Sequence, residues 1–234
     1  MSVWSVFFIF ITPLIGGGIA LIFHREAQAN YKLVLSFSGS FLFTIILLHL
    51  FPEVFRSVPN AGFFVLVGFF IQIILEQLTS GIEHGHFHAH DHGSTYITSL
   101  IVGLSLHSFL DGIPLSNKLL LQETHNALLY GIGIHKIPEG FALASILLVS
   151  NYKKSLIAIF LVLFSMVAPI AMMLGNYFYE TQSILLNGLI AVALGSFLHV
   201  STTILFESET SSHRFDWKRI FSIVVGSGLA LLFG

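Results

Sequence analysis

The chain is predicted to be an all-α integral membrane protein, a bundle of eight transmembrane helices with both termini on the extracytoplasmic side. Three observations lead there. Hydrophobic residues make up 55% of the 234 residues and charged residues only 9%, against about 25% charged in a soluble domain; mean hydropathy is +0.87. Eight segments reach the roughly 20 mostly apolar residues that a spanning helix needs. Lys and Arg, finally, concentrate on alternate loops, the asymmetry that sets membrane orientation.

The spans run at about 3–23, 32–55, 61–82, 95–117, 124–150, 154–178, 183–206 and 217–233. The first has no basic residue before it and no small-residue cleavage site, so it reads as a span rather than a signal peptide. The second carries His49-Leu50-Phe51-Pro52-Glu53 near the outer face. These residues either line an entrance or cap a helix end. The third ends inward with Glu76 and Glu83, close to Gln72 and Gln77. The seventh holds His199 in its apolar run and Glu207 near its inner end. Glu76, Glu83, His199 and Glu207 are candidates for an exit path or a proton relay; Glu83 and Glu207, near span ends, are better explained as solvated, and His199, lying deeper, is the better candidate.

The loops are short, so residues 1–234 form one polytopic domain. The odd-numbered loops hold Arg25, Lys32, Lys153, Lys154, Arg214, Lys218 and Arg219, whereas the second and fourth hold only Arg56 and Lys118. Positive-inside then places the odd loops in the cytoplasm. Short loops and no large extracellular domain predict a multi-pass protein of a bacterial inner membrane. The net charge of −2 and the lack of a basic cluster give no sign of a nucleic-acid partner. With no cysteine there are no disulfides and no thiolate ligands.

Two central spans repeat one polar signature, His107-x-x-x-Asp111-Gly112 and His135-x-x-x-Glu139-Gly140. The i, i+4 spacing puts each pair on one helix face. Ionisable groups at this depth are costly and point to function. Two imidazoles and two carboxylates suit a divalent ion such as zinc. Because the fourth and fifth spans run antiparallel, His107 lies level with Glu139 and Asp111 with His135, so the four converge near the midplane. Gly112 and Gly140 permit close helix approach. Pro114 and Pro138 are read as breaks inside the two helices that free the carbonyls of Leu110 and Ile134. A polar helix–helix contact without metal explains one such pair better than two.

The two motifs, His107-Ser108-Phe109-Leu110-Asp111-Gly112 and His135-Lys136-Ile137-Pro138-Glu139-Gly140, resemble the fourth- and fifth-span motifs of the ZIP (Zrt/Irt-like) divalent metal transporters. The resemblance extends over the whole chain. It implies import of zinc, or of iron, manganese, cobalt or cadmium, with His107, Asp111, His135 and Glu139 as the transport-site ligands. It further implies alternating access, with an elevator-type movement of one helix set against another, and carriers that often pair as homodimers. The metal is cargo, and no cofactor is expected.

The chain departs from the family where many relatives hold a second metal. Ser108 and Lys136 stand where those have Asn and an acid, and Ala168 precedes Pro169. A one-ion site follows, with the Lys136 ammonium as a built-in counter-charge to Asp111 or Glu139; the competing expectation is that Lys136 snorkels to solvent.

The third loop, residues 83–93, is predicted to be cytoplasmic and reads His84-Gly85-His86-Phe87-His88-Ala89-His90-Asp91-His92. Its composition binds metal. The rival reading from another class is an intramembrane zinc hydrolase, disfavoured because there is no H-E-x-x-H and four ligands would close the site. A passive metal channel is the other alternative.

Overall fold

The structure is a computed structural model that describes residues 2–81, 94–116, 120–178, 183–206 and 216–233; for residues 24–30 and 94 it describes the backbone alone. These residues fold as helices: α1 (Val3–Ile45), a π-helical turn (Ile46–Leu50), α2 (Phe51–Ser57), α3 (Ala61–Thr79), α4 (Ser94–Gly112), α5 (Gln122–Val149), α6 (Lys154–Phe178), α7 (Ser183–Phe206) and α8 (Trp217–Ala230). Among the described residues seven helices are long and apolar enough to cross a membrane. The element at the eighth predicted span is shorter, 14 residues of α-helix followed by a 3₁₀ turn to Phe233.

The first two predicted spans are the two arms of α1, which meet at a kink where Phe23 leaves helical geometry (φ −121°, ψ 32°). By length and composition each arm is a span of its own, Val3–Phe23 and then Tyr31–Ser57, which continues through the π-helical turn and α2. The kink falls beside the charged segment at which the sequence reading separates them. The two arms run in opposite directions along α5. Phe8 meets Gly133 and Pro13 meets Gly140, whereas Leu42 meets Gly131 and the Tyr31 hydroxyl donates to the Pro138 carbonyl at 3.3 Å.

Proline acts differently at its several places. Pro52 stands just after the π-helical turn, which holds His49. Without an N–H, and with a ring that crowds the carbonyl four residues back, it favours a wider turn there. Pro138 lies inside an unbroken α5. Pro114 does not lie within a helix: α4 ends at Gly112, and Pro114 begins a 3₁₀ turn through Ser116. The expectation of a freed Leu110 carbonyl is thereby corrected, since it accepts from the Ile113 N–H at 3.3 Å. Proline here ends the helix instead of breaking it.

Close packing through glycine joins helices backbone to backbone in pairs. A Cβ added at Gly16 would overlap the Ile137 carbonyl, at Gly140 the Pro13 carbonyl, and at Gly112 the Ala168 carbonyl. These contacts lock the first arm of α1 to α5, and α4 to α6. A Cβ at Gly68 would overlap the Val192 carbonyl, at Gly195 the Val65 carbonyl, and at Gly226 the Phe37 carbonyl. These lock α3 to α7, and the second arm of α1 to α8. Elsewhere Gly17 of α1 meets the Leu161 side chain, Gly39 of α1 that of Ile204, Gly131 of α5 those of Ile45, Leu42 and Phe41, and Gly103 of α4 those of Thr79 and Leu78 with the Leu75 carbonyl at 3.4 Å. Of the seven long helices α5 is the most enclosed, with 78% of its apolar window buried against 22% for α3.

Candidate metal-transport site

His107 of α4 and His135 and Glu139 of α5 come together in the interior. Their ligand atoms lie within 4.8 Å of one another, and all three residues are buried. Glu139 Oε1 stands 3.4 Å from His107 Nε2 and 3.5 Å from His135 Nε2. A tetrahedral zinc ion with bonds of about 2.0–2.1 Å holds neighbouring ligand atoms roughly 3.3–3.4 Å apart. Glu139 Oε1 therefore stands at ligand spacing from each of the two imidazole nitrogens. The two imidazoles are nearly perpendicular, with centroids 6.3 Å apart.

Asp111 lies one turn from His107, with Oδ2 3.6 Å from His107 Nε2. It stands outside the three-residue cluster because its Oδ2 hydrogen-bonds the Lys136 ammonium. Lys136 also donates to Glu139 Oε2 at 2.6 Å. Its ammonium sits 5.8 Å from the Phe164 ring centroid, and the residue is 1% exposed. Lys136 thus points inward between two carboxylates and does not snorkel. A buried charge persists only when paired and hydrogen-bonded, and each carboxylate offers one oxygen to the lysine. Of the other two oxygens, Glu139 Oε1 faces the two imidazoles. Asp111 Oδ1 is buried without a hydrogen-bond partner among the described residues, as are both ring nitrogens of His135. Ser108 is buried beside His107 in the chain.

The other sequence candidates lie elsewhere. Glu53 Oε1 accepts from the Leu121 N–H at 2.5 Å, directly before α5. His49 is half-buried in the π-helical turn. The structure brings His199 of α7 and Glu76 of α3 together at 2.5 Å, with the Phe69 ring edge-on to the imidazole at 4.9 Å. Glu83, His84, His86, His88, His90, Asp91, His92 and Glu207 lie outside the described residues.

Two residues near the site carry contacts that the sequence reading does not assign. Gln72 Oε1 lies 3.2 Å from His107 Nδ1 and accepts from the Ser196 hydroxyl at 2.7 Å. An amide inside an apolar span was a usable signal, because it is costly there unless bonded. A serine in mid-span is too common to be one.

A family model described as ZIP Zinc transporter matches residues 83–234, more than half of the chain and inclusive of both His/acid motifs. No curated protein matches the chain. The chain belongs to the ZIP zinc transporter family: it is a multi-pass membrane protein that transports divalent metal ions, and it is not an enzyme.

Proposed function

We propose that this transporter carries Zn(II) into the cytoplasm, one ion at a time, through a midplane site formed by His107, His135 and Glu139, with Asp111 as the fourth ligand. The observation that carries this reading is the spacing of Glu139 Oε1 at 3.4 and 3.5 Å from two imidazole nitrogens. Mixed nitrogen and oxygen donors also suit Fe(II), Mn(II), Co(II) and Cd(II). In this reading Lys136 takes the place of a second metal. It neutralises part of the acid charge yet leaves an oxygen of each carboxylate for the cargo. Asp111 would turn from Lys136 toward the arriving ion.

We assign eight spans with both termini outside, α8 being the eighth. Alternating access then proceeds by one helix set, the first arm of α1 with α4, α5 and α6, sliding against the other, the second arm of α1 with α3, α7 and α8. Backbone-to-backbone contacts resist shear within each glycine-locked pair, and no such overlap joins the two sets among the glycine contacts described. The inward route would pass Glu76, His199 and the His-rich loop at 83–93. Protons compete with metal for imidazole and carboxylate, so protonation favours release.

Zinc uptake into proteoliposomes tests the reading. Wild type should show saturable uptake, and His135→Ala or Glu139→Ala should lower it at least about 10-fold, as expected when a ligand is lost. Unaltered, saturable uptake in both variants would place the transport site elsewhere. Tightly held zinc with no uptake by wild type would end the carrier reading.

A further inference from the structure

We propose that Gln72, anchored by Ser196, is a positioning residue that fixes His107 in the tautomer whose Nε2 lone pair faces the ion; the inference rests on His107 being a transport ligand. Gln72 and Ser196 are fully buried, as is His107. The Ser196 hydroxyl donates to Gln72 Oε1 at 2.7 Å and anchors the amide beside α4. That same oxygen lies 3.2 Å from His107 Nδ1. An amide oxygen only accepts, so the proton of this bond belongs to Nδ1. Neutral imidazole carries a single N–H. With the proton on Nδ1, Nε2 is left as a lone pair, and Nε2 is the atom that faces Glu139 and Asp111.

An outer partner of this kind sets ring orientation and ligand basicity at metal sites. His135 differs, since neither of its ring nitrogens has a hydrogen-bond partner among the described residues. The site therefore combines one preset imidazole with one that reorients as the ion arrives. Gln72 on α3 and Ser196 on α7 belong to one helix set, and His107 on α4 to the other. Sliding would part Nδ1 from Oε1, so Gln72 tightens the site in this conformation and releases it as the carrier moves.

Two measurements on the full chain test the assignment: zinc-uptake kinetics in proteoliposomes, and ¹⁵N NMR of histidine-labelled protein with the His107 signal identified by its loss in His107→Ala. Wild type should carry the His107 proton on Nδ1. Gln72→Leu should raise KM about 10–100-fold, the usual cost of losing such a partner, with a much smaller change in Vmax and loss of the Nδ1 preference. Gln72→Glu keeps an acceptor in place and should hold both the tautomer and a KM near wild type. A wild-type proton on Nε2 would overturn the proposal, as would a folded Gln72→Leu with unchanged KM and tautomer. Should Gln72→Leu fail to fold, the wild-type tautomer together with a smaller KM rise in Ser196→Ala decides. Wild-type uptake by His107→Ala would instead sink the transport-site reading itself.

Discussion

Lys136 is the residue on which the charge balance of the interior turns. It is the first lysine one would expect to find at a span end, and it is buried between Asp111 and Glu139. Removing one member of a buried ionic group leaves the others uncompensated, at a cost of about 3–5 kcal/mol. Lys136→Ala should therefore lower the thermal midpoint of metal-free protein. Added Zn(II) should restore it by more than it raises that of wild type, because a divalent ion can take the vacated position. Calorimetry or a thermofluor scan of both proteins, with chelator and with zinc, checks this. Equal zinc shifts in the two would remove the argument that the lysine stands in for a metal. The histidine loop at 83–93 is common to both proteins and cancels from the comparison.

At the scale of elements, stability depends on how closely helices approach. Gly140 of α5 leaves room for the Pro13 carbonyl of α1, and Gly68 of α3 for that of Val192 of α7. A side chain at either position must push two backbones apart. Gly140→Val or Gly68→Val should destabilise by about 1–3 kcal/mol or more, the usual penalty for overpacking. Gly228 of α8 has nothing within 4 Å of an added Cβ, so Gly228→Ala should be neutral or stabilise by up to about 1 kcal/mol through helix propensity. Thermal midpoints of the three variants give the order. A Gly140 variant as stable as wild type would show that α1 and α5 are not locked at this point.

For the whole molecule, the contrast between locked and unlocked seams predicts which contacts must move. A Cβ at Gly103 of α4 would lie 3.2 Å from the Cβ of Leu78 of α3, just short of the spacing of about 3.5–4.5 Å found in disulfides. The chain has no native cysteine, so Leu78→Cys/Gly103→Cys introduces a single pair, across the seam between sets. Oxidation should abolish zinc uptake, and reductant should restore it. Full uptake by the oxidised, cross-linked protein would mean that the two sets do not slide at this seam during transport.

Much was legible in the sequence by itself because the bilayer imposes simple rules. Apolar run length marks the helices, and seven of the eight predicted spans recur as long apolar helices with ends displaced by a few residues. The i, i+4 spacing of His and acid marked a shared face, since that follows from helix pitch alone. Other features rest on neighbours far apart in the chain, which no local pattern encodes. The sequence reads Pro114 as a kink, whereas α4 has already ended. It expects Lys136 to offset Asp111 or Glu139, and the tertiary structure sets the ammonium between both. The bond from His107 to Gln72 joins residues 35 apart in the chain, and that from Gln72 to Ser196 residues 124 apart. Composition determined that this protein lives in a membrane and which residue types face its cargo. Only packing decided which oxygen, which nitrogen and which helix set each of them belongs to.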